Sequence, residues 1–182
     1  EIAAEGVEYL PGDSLGVVPE NPVTVVEAIL QLLDVDSAKT FQYRNEELTA
    51  FYILKKKLNI LYLPERVVAN YAGLINQDIP ATKIGLLDLL RIYPLPGTHQ
   101  FGQLLDILEP IAPRLYSISS SPEAHDGEIH ISVARDKFMV NEEEKCGLCS
   151  DYLSSLPEET EIEFYIHKNS QFRLPEDDKD IV

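Results

Sequence analysis

The chain has 182 residues, of which 45% are hydrophobic and 25% are charged, so it is long enough to bury a core in one or two compact units. Its 31 acidic residues outnumber 15 basic ones, which argues against nucleic acid as a partner because Lys and Arg supply most of the affinity for phosphate. No apolar run approaches the roughly 20 residues that cross a bilayer, so no membrane segment is expected in this chain. The opening residues, Glu1–Glu5, lack the pattern of a signal peptide and are interpreted as a cut fragment's start.

The first twenty residues have the pattern of β structure. Turn-forming residues at Tyr9–Asp13 precede a short apolar strand at Ser14–Val18. From Pro22 the apolar spacing changes to that of an amphipathic helix, with Val26, Ile29, Leu30 and Leu33 on one face. The sequence therefore predicts that a helical region begins near residue 21.

Helical patterns continue to residue 108. They predict a second helix at Glu46–Leu58, a third that starts at Pro64, a fourth at Thr82–Tyr93 and a fifth at Phe101–Leu108. After Arg114 the apolar spacing returns to two. This spacing predicts half-buried strands around residues 129–133 and 162–166.

The order of β, helical and β segments predicts an α+β fold in which an insertion interrupts a discontinuous β-domain. We assign residues 1–20 and 109–182 to the β-domain and residues 21–108 to the helical insertion.

Cys146 and Cys149 are the two cysteines of the chain, too few for a disulfide framework, which favours a reducing compartment. Their C-x-x-C spacing is compatible with a redox dithiol or with half of a zinc site. A zinc site would need further ligands, and His125 and His130 lack a recognised ligand spacing. A dithiol would need a strand leading into it, whereas the acidic run 142–144 precedes this pair. We therefore predict no metal site.

The junction between the helical region and the later strands reads RLYSISSSP, from Arg114 to Pro122. Arg114 offers a fork of donors suited to phosphate, Tyr116 a flat face for a planar ring, and the serines small donors. The combination suggests a nucleotide-type cofactor, although a Ser-rich loop before Pro122 is also typical of a plain turn.

Arg114-x-Tyr116-Ser117 resembles the FAD signature of the ferredoxin-NADP reductase superfamily, and the longer string resembles its diflavin reductase branch. Three further stretches agree with the family's order: YLPGDSLGV from Tyr9, GLCSDYL from Gly147 and SQFRLP from Ser170. The resemblance implies an antiparallel FAD-binding β-barrel interrupted by an all-helical connecting insertion.

The resemblance also implies which signature residues contact FAD. Arg114 is expected to bind the pyrophosphate, Tyr116 to pack on the isoalloxazine ring and Ser117 to lie near the flavin N5, with Leu115 between them. The alternative is that Arg114 is a surface ion-pair residue and Tyr116 a core aromatic residue.

A second stretch implied by the resemblance is Gly147, Leu148, Cys149 and Ser150, ahead of a short helical pattern. Glycine permits close backbone approach and a helix N-terminus presents free N–H groups, an arrangement suited to a diphosphate. The alternative is that Ser150 only caps the helix.

Counting along the family's next strand, Ser132, Val133 and Ala134 match a segment that contacts the flavin. Phe138 matches an aromatic residue that stacks on adenine, although a role in anchoring the loop to the core is the alternative. P450 reductases commonly carry Cys where Ser132 stands, so the hydroxyl favours the sulfite reductase branch. Ser117 and Ser132 are the two residues expected at the catalytic centre.

In the whole enzyme the resemblance implies transfer of a hydride from NADPH to FAD, and of electrons through FMN to a haem-type acceptor such as a sulfite reductase haemoprotein. The NADP-binding and FMN domains are expected to lie outside this chain, which would have little NADPH turnover alone. A cytoplasmic location is expected. The alternatives are a P450-reductase-like flavoprotein, a non-catalytic scaffold that binds no flavin, and a dithiol redox protein.

Overall fold

The structure is a computed structural model that describes residues 1–140 and 143–172. The chain divides into two compact units. Unit 1 comprises Glu1–Val18, Pro113–Arg135 and residues 156–172, and unit 2 comprises Pro19–Ala112 and the described part of Asp136–Ser155. These units differ from the predicted domains mainly at Asp136–Ser155, and by a few residues at each boundary of the insertion, where residues 19–20 and 109–112 fall in unit 2. The domain assignment itself stays a prediction.

Helices and antiparallel strands both occur in the described residues, which confirms the α+β class. In chain order the elements are β1 (Ile2–Ala3), β2 (Ser14–Val17), α1 (Val23–Leu32), β3 (Thr40–Tyr43), β4 (Glu46–Thr49), α2 (Ala50–Tyr52), a π-helix (Ile53–Lys57), α3 (Glu65–Ile75), α4 (Leu86–Ile92), a 3₁₀ turn (Thr98–Gln100), α5 (Phe101–Ile107), β5 (Arg114–Ser117), β6 (Glu128–Ile129), β7 (Lys137–Val140), β8 (Glu143–Cys146), α6 (Leu148–Ser155) and β9 (Phe164–His167).

Unit 1 is organised around β2, the central strand of the antiparallel sheet β5-β2-β9. Leu15 and Val17 point from this strand into the interior and are fully buried. β1 and β6 form a separate antiparallel pair. The described strands thus form small sheets, and a closed barrel is not observed among them.

The strand predicted at residues 129–133 is shorter in the structure. It is paired only over Glu128–Ile129, and a single bridge joins Ile131 to Ile118. Between these points the Ser120 side chain replaces a backbone partner, since its hydroxyl accepts a hydrogen bond from the His130 N–H at 3.1 Å. A side-chain partner supplies one hydrogen bond and then ends the regular ladder.

Unit 2 contains the larger apolar core, which is built from α1, α3, α4, α5 and the π-helix. Tyr71 and Phe101 are among its largest fully buried side chains. The first, third, fourth and fifth predicted helices are confirmed as α1, α3, α4 and α5. The fourth begins at Leu86, later than predicted, because Gly85 keeps an extended backbone, and a methyl group on it would lie 2.9 Å from the Leu61 carbonyl oxygen.

The prediction of a helix over Glu46–Leu58 is wrong for its first turn, so the insertion is not all-helical. Glu46–Thr49 is strand β4, which pairs with β3 and places Leu48 opposite Phe41. Phe41 also contacts the ring of Phe101 at 4.8 Å between centroids. The hairpin packs Phe41 and Leu48 against the core of unit 2, so tertiary packing overrides the local helical pattern. Helix begins only at Ala50, where the Thr49 hydroxyl accepts the Tyr52 N–H at 3.2 Å.

Candidate functional site

Strand β5 carries the four residues of the predicted FAD signature in unit 1. Each lies opposite a residue of β2: Arg114 opposite Val17, Leu115 opposite Gly16, Tyr116 opposite Leu15 and Ser117 opposite Ser14. Successive residues of a strand point to opposite faces. Arg114 and Tyr116 therefore share the face of the buried β2 residues, whereas Leu115 and Ser117 lie on the other face.

The guanidinium of Arg114 is exposed and has no ion pair or hydrogen bond in the part of the chain that the structure describes. Other arginines are paired, as Arg66 is with Glu109 and Arg91 with Asp88. The ion pair that was the alternative for Arg114 is thus not seen among the described residues. Five unused donors in a planar fork fit a diphosphate, which presents oxygen acceptors in a matching geometry.

The neighbours of Arg114 differ in exposure along the strand. Tyr116 is half-buried, Leu115 is 49% exposed, and Ser117 is exposed with no partner for its hydroxyl among the described residues. A hydroxyl in this state can donate to a bound group or accept from one. The exposed Ser117 hydroxyl is therefore available to a bound group, and the half-buried Tyr116 presents part of its ring on the opposite face of the strand. The contact of these residues with a flavin stays a prediction.

Gly16 and Tyr165 form a contact on the outer face of the same sheet, beside Leu115. A methyl group on Gly16 would lie 2.3 Å from Cζ of Tyr165, so the phenol ring covers the glycine. Tyr165 remains 43% exposed. The sequence-based reasoning gave these two residues no role, although a glycine inside a buried strand is a known signal of close approach.

The predicted flavin-contacting segment Ser132–Ala134 lies in irregular backbone after the Ile118–Ile131 bridge. Ser132 and Ala134 are exposed and Val133 is half-buried. Their side chains are therefore accessible, and the contact of these residues with FAD stays a prediction.

Gly147 connects β8 to α6 in unit 2 and is held from two sides. Its N–H donates to the Asp136 carbonyl at 2.9 Å, and its carbonyl accepts the Asp151 N–H at 2.9 Å. A methyl group on Gly147 would lie 3.1 Å from Oγ of Ser150 and 3.3 Å from Cβ of Asp136. Glycine is thus favoured here because a larger residue would crowd the Asp136 loop.

Ser150 fastens this loop rather than presenting its hydroxyl to solvent. Its Oγ donates to the Gly147 carbonyl at 3.1 Å and accepts the Asp136 N–H at 3.0 Å. Both Ser150 and Cys149 are buried. Any anion at this helix start would therefore be bound by first-turn backbone N–H groups, which have no partner within the helix.

Phe138 lies on β7 of unit 2 and is 37% exposed. Its ring contacts Tyr62 at 5.4 Å between centroids, and the Tyr62 hydroxyl donates to the Cys146 carbonyl at 2.6 Å. Burial raises the pKa of Tyr62 above its ordinary value, and the electrostatic effect of the nearby Cys146 is the second cause. Tyr62 thus supports both Phe138 and the end of β8. No local sequence signal links it to residues so far along the chain.

Neither cysteine of the C-x-x-C pair forms a disulfide among the described residues, and Cys149 is buried while Cys146 is partly accessible. Burial of one thiol disfavours the attack that dithiol exchange requires.

Two of the histidines, unlike the cysteines, belong to a group of possible metal ligands among the described residues. His125 and His130 lie together with Glu128 in unit 1, although the sequence analysis found no ligand spacing there.

A comparison with known protein families finds a match that includes the signature residues of β5. Residues 79–152 match the family model described as the FAD binding domain. The recognition made from the sequence motifs is thereby confirmed. The match includes Arg114–Ser117, Ser132–Ala134, Phe138 and Gly147–Ser150, and it supports FAD as the cofactor.

Several curated relatives match over almost the whole chain, and each is named sulfite reductase [NADPH] flavoprotein alpha-component. The relative from Buchnera aphidicola is 33% identical over 96% of this chain and 31% of its own length. Those from Mannheimia succiniciproducens and Neisseria meningitidis are each 30% identical, over 97% and 98% of this chain and 32% of their own lengths. The chain thus spans about a third of the length of these relatives. No described helix combines the length and apolar character that a membrane crossing requires.

Proposed function

We propose that this chain is the FAD-binding portion of an NADPH-dependent flavoprotein reductase of the sulfite reductase type. The family match over residues 79–152 and the names of the relatives support this proposal. Among structural observations, the exposed Arg114 without a partner in the described residues carries it furthest. With acidic residues outnumbering basic ones two to one, an unpaired guanidinium fits an external anion.

Each signature residue of β5 has a role that fits its position. Arg114 binds the pyrophosphate through charge-assisted hydrogen bonds. Tyr116 packs against the isoalloxazine ring. Ser117 places its exposed hydroxyl beside N5, the reacting nitrogen of the flavin. Ser132 supplies the second hydroxyl of the catalytic centre. FAD, when bound, accepts a hydride and releases electrons singly, so the protein supplies orientation and electrostatics.

The residues of unit 2 have their own proposed contacts with the cofactor. Leu148, Cys149 and Ser150 bind phosphate oxygens through backbone N–H groups, because the Ser150 hydroxyl and the Gly147 N–H are already engaged. Gly147 contributes by letting the phosphate approach the backbone closely. Phe138 stacks on the adenine with the face of its ring not covered by Tyr62.

The wider functional context rests on the resemblance. We propose that NADPH provides the hydride, that FMN receives the electrons, and that a haem-type partner such as a sulfite reductase haemoprotein accepts them. The NADP-binding and FMN domains belong to the longer protein, and this chain alone turns over little NADPH. An antiparallel FAD-binding β-barrel formed by residues 1–20 and 109–182, a connecting domain over residues 21–108, and a cytoplasmic location belong to the same proposal.

The proposal is tested by titrating the chain with FAD and, separately, with ADP. Arg114→Ala should weaken both ligands by about 10- to 100-fold, because a hydrogen bond to a charged group contributes roughly 1.5–3 kcal/mol. Tyr116→Leu should weaken FAD but leave ADP unchanged, because ADP has no isoalloxazine ring.

Arg91→Ala is the matched control, since it also removes an exposed arginine and should bind both ligands as the unaltered chain does. Circular dichroism verifies that each variant is folded. Equal effects of Arg114→Ala and Arg91→Ala, or a folded chain that binds neither ligand at millimolar concentration, would contradict the proposal in favour of a scaffold.

A further inference from the structure

A cluster of two imidazoles and a carboxylate lies on the surface of unit 1, in residues to which the FAD proposal gives no role. One ligand atom from each of His125, Glu128 and His130 lies within 4.8 Å of the others. The two imidazole rings are 4.3 Å apart between centroids, and Nε2 of His130 is 3.1 Å from Oε2 of Glu128.

The backbone that carries the first two ligands is fixed by a hydrogen-bonded turn. The His125 N–H donates to the Ser121 carbonyl at 3.0 Å, and the Glu128 N–H donates to the His125 carbonyl at 3.2 Å. Gly127 closes the turn at a φ of 75°, which favours glycine. The turn therefore brings the side chains of His125 and Glu128 to one side.

The third ligand is fixed by the strand that follows. Glu128 pairs with Ala3 in β6, and two residues later the His130 carbonyl accepts the Ser119 N–H at 2.8 Å. Residues two apart in extended chain share a face. Glu128 and His130 therefore point the same way, and the His130 side chain is held at 23% exposure.

We propose that His125, Glu128 and His130 bind one divalent transition-metal cation of the zinc class. Two histidines and one carboxylate are an established ligand set for zinc that leaves one position for water. With bonds of about 2.0–2.2 Å, the ligand atoms of a tetrahedral ion lie roughly 3.3–3.6 Å apart. The His130–Glu128 pair, at 3.1 Å, is close to this separation, and the ligand atom of the exposed His125 lies within 4.8 Å of both.

The surroundings of the cluster suit a cation with a bound water. His125 and Glu128 line a cavity of about 540 Å³, which gives solvent access to the open position. Glu8 and Asp126 line the same cavity and add negative charge, while Lys168 is the one lysine or arginine among the described residues that line it. The balance of charge favours a cation.

The test is an isothermal titration of the chelator-treated chain with Zn²⁺. We expect one ion per chain, at least tenfold weaker binding in His125→Ala, His130→Ala and Glu128→Gln, and a rise in melting temperature with Zn²⁺ that these variants lose. His167→Ala and Glu123→Gln are the matched controls, since they remove one histidine and one carboxylate outside the cluster and should bind as the unaltered chain does.

A cobalt titration separates this cluster from the two cysteines. Co²⁺ bound to imidazole and carboxylate lacks the intense thiolate-to-metal band that cysteine ligands produce, and we expect a spectrum without that band. The proposal is overturned by an absence of binding at millimolar Zn²⁺, by weak multiple binding that the three variants leave unchanged, or by a thiolate band that Cys146→Ser removes.

Discussion

The absence of a Cβ atom at Gly16 allows close packing on one face of the sheet in unit 1. The ring of Tyr165 covers this glycine, and the two residues lie directly opposite each other on β2 and β9. Glycine is unfavourable inside a strand unless something gains from the missing side chain. Here the gain is the contact between the ring and the backbone.

We predict that Gly16→Ala destabilises the chain by about 1–2 kcal/mol, the lower part of the usual range for overpacking. The exposed Tyr165 ring can move aside, so the loss is that of its contact and not of the whole sheet. Denaturant unfolding measures the change. Gly102→Ala is the control, because its added methyl group meets nothing within 4 Å and should stabilise α5 by about 0.5–1 kcal/mol. Destabilisation by both variants would contradict this explanation.

At the residue scale, the hydrogen-bond donors of Arg114 and Ser117 are evident from the sequence whatever the fold, and their contact with phosphate and flavin stays a prediction. The engagement of the Ser150 hydroxyl was not predictable. It depends on Asp136, whose backbone lies beside Ser150 only after β7 and β8 have paired. Tyr62 was missed for the same reason, since its partner Cys146 is distant in sequence.

Among the elements, the π-helix Ile53–Lys57 depends on one buried side chain outside it. Nδ2 of Asn21 donates to the carbonyls of Leu54 and Leu58, at 2.6 and 2.7 Å. The Asn21 N–H donates to the Lys55 carbonyl at 2.8 Å. The carbonyls near the C-terminal end of a helix have no partner within it, and Asn21 supplies donors to two of them here.

We predict that Asn21→Ala destabilises unit 2 by about 2–4 kcal/mol, because two buried carbonyls lose their partner. Thermal and denaturant unfolding measure the loss. Gln42→Ala is the control, since its amide donates to the Arg44 carbonyl on the exposed hairpin and should change the free energy of unfolding by less than about 0.5 kcal/mol. An Asn21→Ala variant as stable as Gln42→Ala would show that Asn21 does not support the π-helix.

The helices with strong apolar periodicity, α1, α3 and α5, were predictable because one face of each enters the core of unit 2. The β3–β4 hairpin was not. The local sequence is compatible with a helix at Glu46, Glu47 and Leu48. These residues form a strand because they pair with β3, where Leu48 lies opposite Phe41. Its two-residue turn also uses Arg44 at a φ of 54°, where sequence gives no glycine signal.

For the molecule as a whole, Tyr71 links stability to alkaline pH. Its side chain is fully buried in the core of unit 2, and its hydroxyl donates to the Tyr93 carbonyl at 2.7 Å. Burial raises the pKa of Tyr71 to about 12 from its ordinary value of 10. The neutral phenol is thus favoured in the folded chain, so its contribution is complete below pH 10 and is lost as the pH rises towards 12.

We predict that the free energy of unfolding of the chain falls between pH 10 and 12, and that Tyr71→Phe makes this fall shallower. The variant should also be less stable at neutral pH by roughly 1 kcal/mol, because it lacks the hydrogen bond to Tyr93. Val68→Ala is the control: it removes buried methyl groups from the same helix and should lower stability equally at each pH. Equal pH slopes for Tyr71→Phe and the unaltered chain would contradict the assignment.

The division into two units was only partly accessible from the sequence. The changes of period near residues 20 and 110 mark real changes of structure, since β2 ends at Val17 and β5 begins at Arg114. The placement of Asp136–Ser155 in unit 2 has no such signal. It follows from contacts such as Phe138 with Tyr62, which join segments far apart in the chain.

The central claim, that Arg114–Ser117 and Gly147–Ser150 contact FAD, is tested most directly by titrating the isotope-labelled chain with FAD and following its backbone amide signals. We predict saturable shifts concentrated at those two stretches, with smaller changes at Ser132–Ala134 and Phe138. Amides of α3 and of the β3–β4 hairpin should remain unshifted. A folded chain whose shifts fall elsewhere, or that shows no shifts with FAD in excess, would contradict the claim.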